Sequence, residues 1–137
     1  MSILPDINIL LAYGWQQHPF HAPCSEWLDG LEGFALCPIT ELGFVRVSMS
    51  PAFRASHEAA SSVLRSLEER AGVTRLACDL SAAAMPRVSS YKDTTDAYLV
   101  HLARHHSHRF AQQFARRLQT VQQCRGGMKA GNGMHCR

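Results

Sequence analysis

Short apolar runs alternate along this chain with longer amphipathic segments, and this alternation constrains the fold more than any other feature. The run that begins at Ile3 and those at 34–37, 73–78 and 109–111 are brief and mostly apolar. Between them, apolar residues recur at spacings of three and four. Such a pattern indicates buried strands that alternate with helices. It predicts an α/β protein, a three-layer α/β/α domain with a mainly parallel central sheet.

Composition narrows the class of protein without naming a function. The 137 residues are 46% hydrophobic, which suits one globular domain with a core that needs no disulfides. A net charge of +3 permits a polyanionic partner but does not demonstrate one. The five cysteines are scattered, so neither a disulfide framework nor a cysteine zinc site is indicated. Without a signal-peptide pattern or a run of about 18 apolar residues, we expect a soluble, cytoplasmic protein.

Three acids, Asp6, Glu41 and Asp96, each follow a short apolar run or open a helix near a predicted strand end. Each has a structural interpretation of its own, as a helix cap or as a favourable charge near a helix N-terminus. The carboxyl ends of parallel strands, however, share the edge of a sheet where ligands bind. If the three carboxylates meet there, they repel one another unless a cation is present, and oxygen ligands favour Mg²⁺ or Mn²⁺. Such an ion can activate water for attack on a phosphodiester. Spacing alone does not show that they meet.

Several pieces of the chain match a known family in order and spacing over residues 3 to 111: Leu4–Ala12, His18-Pro19 with His21, Trp27-Leu28, Cys37–Arg46, and Thr95–Leu99 with Leu102-Ala103. Together they resemble the VapC-type PIN domain family. The resemblance implies a small α/β/α nuclease, the toxin half of a bacterial toxin–antitoxin pair, which cleaves RNA with Mg²⁺ or Mn²⁺ held by acidic residues. It also implies a cognate antitoxin that covers the active cleft, and a homodimer formed through exposed apolar helical faces.

The resemblance also assigns candidate site residues. The family's first three acids are matched by the residues that we predict to be catalytic and metal-binding: Asp6, Glu41 and Asp96. Asn8 and Thr40 match polar neighbours that could hydrogen-bond the metal ligands or a metal-bound water. Arg46 is a candidate phosphate contact.

The end of the chain departs from the family pattern. After its last strand the family usually carries Thr, an aromatic residue and a fourth Asp, whereas here no acid occurs after Asp96. One missing carboxylate should weaken binding of a second cation in particular, although three acids could still hold one. A catalytically impaired PIN-like module that binds RNA or antitoxin without cleavage is therefore an alternative function. We expect the nuclease domain to span residues 1–122 and residues 123–137 to form a flexible extension.

Two other polar features have ordinary structural interpretations. The histidines His105, His106 and His108 follow a predicted helix. Histidines at a helix end solvate the terminus and, when charged, favour its dipole, and we prefer that interpretation to metal ligation. Asp79 is interpreted as the cap of a short segment from Leu80 to Met85.

Overall fold

The computed structural model describes residues 2–111, and over this range it contains five α-helices, four short strands and two 3₁₀ turns. The predicted domain limit at residue 122 and the predicted extension at 123–137 lie outside the described residues. No helix in the described part combines the length and the apolar character needed to cross a membrane. In chain order the elements are β1 Ile3–Pro5, α1 Ile7–Gly14, α2 His21–Asp29, β2 Ala35–Leu36, α3 Pro38–Ser48, α4 His57–Glu68, β3 Thr74–Arg75, the turns Ala82–Ala84 and Tyr91–Asp93, α5 Thr94–His105 and β4 Arg109–Ala111.

The strands pair in parallel. β1 pairs with β4, with Leu4 opposite Phe110, and β2 pairs with β3, with Leu36 opposite Arg75. β1 also contacts β2, so the two pairs lie side by side. Each parallel pair is joined through helices, as the crossover between parallel strands requires. The prediction of a mainly parallel central sheet is confirmed.

Helices cover both faces of the strands. Leu4 and Ala35 are fully buried in a cluster with α5, whereas Leu36 is buried in a second cluster with α1, α2, α3 and α4. Successive side chains of a strand point to opposite faces, so neighbouring residues such as Ala35 and Leu36 enter different clusters. The predicted three-layer α/β/α arrangement is confirmed, and it explains why β2 is apolar without alternation.

The turn from β1 into α1 is held by Asp6. This residue has extended backbone angles, φ −72° and ψ 170°, and its Oδ1 accepts a hydrogen bond of 2.9 Å from the Ile9 N–H. A carboxylate at this position satisfies one of the free N–H groups at the helix start. The capping interpretation of Asp6 is therefore confirmed, and it fixes this acid at the carboxyl end of β1.

The capping interpretation of Asp79 is wrong. The 3₁₀ turn Ala82–Ala84 begins after Ser81, whose hydroxyl accepts from the Ala83 N–H at 3.2 Å. Ser81 directly precedes the turn, and the short side chain of serine reaches this N–H. Asp79 lies farther from the turn, and its carboxylate faces His106 instead.

Two glycines, Gly33 and Gly72, allow the backbone before β2 and the backbone before β3 to come into close contact. A Cβ atom on Gly33 would lie 1.8 Å from the carbonyl oxygen of Gly72. Gly72 has a φ of +81°, which residues with a side chain rarely adopt.

We expect Gly33→Ala to lower the free energy of unfolding by about 3 kcal/mol, because the backbone has to move to make room for the added Cβ atom. Urea denaturation measures this loss. Gly30→Ala is the control: its nearest neighbour would be Glu26 O at 3.3 Å, and the loss should be below about 1 kcal/mol. Equal losses would contradict this interpretation.

Candidate active site

Asp6 is a buried carboxylate with an unfavourable charge. Only 5% of the residue is exposed. Burial raises the pKa of Asp6 to about 6, the hydrogen bond from the Ile9 N–H opposes this rise, and the charge of Asp96 adds to it. A carboxylate in this position is ionised at neutral pH but gains from any cation placed beside it.

Asp96 meets Asp6 although the two are far apart in the sequence. It lies in the first turn of α5 and is partly buried. Its negative charge raises the pKa of Asp6, so the two carboxylates lie near enough to repel each other. Both side chains lie at helix N-termini, where the helix dipole favours negative charge. The structure thus brings together two of the three predicted acids.

Glu41, the third acid, is buried but only half satisfied. It lies in the first turn of α3, and 8% of its side chain is exposed. Its Oε2 accepts a short hydrogen bond of 2.6 Å from Nη2 of Arg75. Its Oε1 is buried and has no hydrogen-bond donor among residues 2–111. Buried polar atoms are normally paired, so this oxygen is a candidate ligand atom.

Arg75 is a candidate site residue because it contacts Glu41, and the sequence did not indicate it. It is the last residue of β3, and 64% of its side chain is exposed. The hydrogen bond and charge of Glu41 raise the pKa of Arg75 above its usual value. One signal could have found it: β3 ends at the same edge as the other parallel strands, so its last residue shares that edge with the acids.

The three other predicted site residues have different positions. Asn8 is exposed on α1, and its backbone N–H hydrogen-bonds the Asp6 carboxylate. The Thr40 hydroxyl accepts from the Cys37 N–H at 3.2 Å and donates to the Cys37 carbonyl at 3.0 Å, which holds the first turn of α3. Arg46 is exposed in the last turn of α3, away from the Glu41 end. The roles suggested for these side chains remain predictions.

Among the described residues, the three acids do not form the tightest group of metal-ligand side chains. Within residues 2–111, one group of three ligand-type side chains has its atoms within 4.8 Å of one another, and it consists of Asp79, His105 and His106. That group lies at the opposite end of α5 from Asp96, nine residues or roughly 14 Å along the helix axis. It is therefore separate from the edge that carries Asp6, Glu41, Asp96 and Arg75, which we call the acidic edge.

Comparison with known proteins identifies the family. The chain is 40% identical to Ribonuclease VapC38 of Mycobacterium tuberculosis (strain ATCC 25618 / H37Rv) over 111 residues, covering 76% of this chain and 78% of that protein. The chain belongs to the VapC ribonuclease family. Ribonuclease VapC44 of the same strain is 36% identical over 121 residues, covering 80% of this chain and 84% of VapC44. Ribonuclease VapC39 is 31% identical over 116 residues, covering 75% and 81%. No family model matches the chain.

Membership of the VapC family confirms two predictions. The resemblance noted in the sequence is correct, and the α/β/α fold with its parallel strands is the PIN-domain fold of this family.

Proposed function

We propose that this VapC-family protein is a metal-dependent endoribonuclease, the toxin of a toxin–antitoxin pair, which hydrolyses RNA phosphodiester bonds. The observation that carries the proposal is the acidic edge itself, where Asp6 and Asp96 repel each other and Glu41 keeps one buried oxygen without a donor among the described residues. The relatives are named ribonucleases, which supports RNA as the substrate.

The residues of the acidic edge fit a hard divalent cation. The candidate ligands are all carboxylate oxygens, which Mg²⁺ and Mn²⁺ prefer. A cation would relieve the repulsion between Asp6 and Asp96 and would give the Oε1 atom of Glu41 a partner. Asp6, Asp96 and Glu41 are thus the residues that would hold Mg²⁺ or Mn²⁺. Bound there, such an ion lowers the pKa of a water molecule and neutralises charge on the phosphodiester.

The neighbouring residues have supporting roles. The hydroxyl of Thr40 fixes the first turn of α3 and so positions Glu41, the next residue. Arg75 holds the Oε2 atom of Glu41, and its largely exposed guanidinium can bind an RNA phosphate from the solvent side. Arg46 and the side chain of Asn8 are further candidates for contact with RNA or with a metal-bound water. Thr40 and Arg75 act on Glu41 directly, whereas Arg46 lies toward the other end of α3.

The proposal predicts cleavage that depends on a divalent ion. Purified protein, incubated with a mixed pool of structured RNAs, should produce discrete fragments with Mg²⁺ or Mn²⁺ and none in excess EDTA, as seen on denaturing gels. Fluorescence anisotropy with a labelled RNA should show binding in both conditions. Cleavage that persists in EDTA would overturn the proposal.

A second candidate function is a module that binds RNA or an antitoxin without cleaving. It is favoured by one observation, the absence of any acid after Asp96 in the sequence, which leaves fewer carboxylates for a second ion. In the same experiment this module would bind labelled RNA but leave it intact with either ion. The two candidates therefore give opposite results on one gel.

Partners can be proposed from the family and the surface. We expect a cognate antitoxin to cover the acidic edge, and a homodimer to form through an exposed apolar helical face. Leu42 on α3 and Met49 directly after this helix are 70% and 48% exposed. They lie seven residues apart, on the same side of the helix, and offer such a face. Sedimentation equilibrium of wild type and Leu42→Asp tests this proposal, since an unchanged mass would contradict a role for Leu42.

A further inference from the structure

The end of α5 carries a cluster of metal-ligand side chains that the acidic edge does not use. Nε2 of His106 lies 2.9 Å from Oδ1 of Asp79, and Nε2 of His105 lies 3.8 Å from the same oxygen. All three ligand atoms lie within 4.8 Å of one another. Two imidazole nitrogens from adjacent residues thus face one carboxylate oxygen from a different segment of the chain.

The backbone fixes this arrangement at the helix end. The His108 N–H donates to the Ala103 carbonyl at 2.7 Å, and the Ser107 N–H donates to the Arg104 carbonyl at 3.0 Å. This pair of bonds closes a helix with one left-handed residue, here Ser107 with a φ of +58°. His105 and His106 are therefore held at the last turn of α5, where the free carbonyl groups favour a nearby positive charge.

The contacts of His106 show where an ion could replace a proton. Its Nε2 lies 3.0 Å from the Ala77 carbonyl oxygen and 2.9 Å from Asp79 Oδ1, so this nitrogen donates toward two oxygen atoms. In a tetrahedral zinc site the ligand atoms lie roughly 3.3 Å apart, between the 2.9 and 3.8 Å spacings found here. Small side-chain rotations would place all three atoms around one ion.

We propose that Asp79, His105 and His106 form a second metal site, which binds a transition-metal ion of the Zn²⁺ class. Two imidazoles and one carboxylate suit Zn²⁺, Ni²⁺ or Co²⁺ and do not suit Mg²⁺, which requires oxygen ligands and retains its water. The ligand set therefore distinguishes this site from the acidic edge. From the sequence we preferred a purely solvating role for these histidines, because no sequence pattern indicated that Asp79 lies beside them. The structure shows that contact.

A bound ion would add a link between two segments that already pack together through Leu80 and Tyr98. Asp79 belongs to the irregular segment that follows β3, and the histidines end α5. Cross-linking them through a metal would stabilise the folded chain, because the ion binds the native arrangement and not the unfolded chain. The site is thus a structural clasp, and it does not depend on the proposed nuclease activity.

The test is a Zn²⁺ titration of the full chain by calorimetry, after metal has been removed with EDTA and excess Mg²⁺ has been added, at about pH 7.5. Wild type should bind one more ion per chain than the double variant with His105→Ala and His106→Ala. Asp79→Asn should weaken binding at least about tenfold. His57→Ala removes an exposed histidine outside the cluster, and Asp6→Asn alters the acidic edge; both should bind like wild type.

Other residues of the chain could also bind Zn²⁺, and Co²⁺ separates them from this cluster. Cys124, His135 and Cys136 lie outside the described residues. Thiolate ligation of Co²⁺ gives a sulfur-to-cobalt charge-transfer band, whereas imidazole and carboxylate ligation gives only visible d–d bands. The d–d bands of this site should be present in the Co²⁺ spectrum of wild type and absent from that of the double variant. Circular dichroism should confirm that the double variant is folded. Identical stoichiometry and spectra in the two proteins would overturn the proposal.

Discussion

Asp6→Asn should reduce metal-dependent RNA cleavage by at least about a hundredfold while the protein remains folded. Asparagine removes the charge that would hold the cation but keeps an oxygen that can accept the Ile9 N–H, so the start of α1 is preserved. Cleavage rates with Mn²⁺ measure the first effect. Calorimetric titration with Mn²⁺ measures its cause, since the ion should bind more weakly to the variant than to wild type.

The matched control is Asp93→Asn. Asp93 precedes α5, is exposed and makes no side-chain capping bond. Its replacement by Asn is the same chemical change as Asp6→Asn, made close to Asp96 but outside the proposed ion site. Its cleavage rate and Mn²⁺ affinity should remain close to those of wild type. If wild type and Asp6→Asn bind Mn²⁺ equally well, the acidic edge holds no ion, and the non-cleaving module becomes the better account.

The same substitution should change the pH dependence of stability. The pKa of Asp6 is about 6 in the folded protein against an ordinary value of 3.8 for an aspartate, so the folded state binds this proton more tightly than the unfolded state. Without metal, the stability of wild type should therefore fall by about 3 kcal/mol as pH rises from 3.8 to 6, and this loss persists above pH 6. Asp6→Asn lacks this loss and should be the more stable protein at neutral pH in EDTA. Unfolding free energies from urea denaturation, plotted against pH, should diverge between wild type and Asp6→Asn. Parallel curves for the two proteins would contradict the raised pKa of Asp6.

The fold was predictable because its signals are local. Ala35 and Leu36 are adjacent and both buried, in different clusters, and this requires helices on both faces of the strand. A residue that starts a helix could also be found from the sequence, as Asp6 shows. The proximity of Asp6 and Asp96 was predicted from the resemblance to the family. Both acids lie at helix starts, but helix starts come together only when the order of the parallel strands is known, and the resemblance implies that order.

The arrangement of side chains at the acidic edge was not predictable in the same way. The ion pair of Glu41 with Arg75 depends on the pairing of β2 with β3, which no local pattern specifies. The contact of Asp79 with His106 depends on the path of an irregular segment with no periodicity. In both cases the sequence shows a charged residue, and only the tertiary structure shows its partner.

Arg75→Gln should strengthen Mn²⁺ binding at the acidic edge. In the folded protein the Nη2 atom of Arg75 lies 2.6 Å from the Oε2 atom of Glu41. A cation that binds the Glu41 carboxylate therefore competes with the guanidinium of Arg75. Glutamine removes the positive charge and leaves the carboxylate free, and we expect Mn²⁺ affinity to rise by roughly threefold to tenfold. Calorimetry on the full chain measures it, and an unchanged affinity would show that Arg75 does not compete with the ion for Glu41.

The loss of Arg75 should also have a structural effect that depends on metal. In EDTA the variant should be less stable than wild type, because Glu41 is left as a buried charge without its partner. In saturating Mn²⁺ the difference should shrink, since the ion then supplies the missing positive charge. Arg70→Gln is the matched control: Arg70 pairs with Asp29 at 3.2 Å, so its removal should lower stability equally in EDTA and in Mn²⁺.

RNA binding separates the two roles of Arg75. If its exposed guanidinium contacts a phosphate, Arg75→Gln should bind a labelled RNA more weakly even as it binds Mn²⁺ more tightly, and the salt dependence of RNA binding should decrease. If Arg75 serves only Glu41, RNA affinity should follow that of wild type at every salt concentration. Opposite changes in the two affinities have no explanation in a general loss of structure, because unfolding would weaken both.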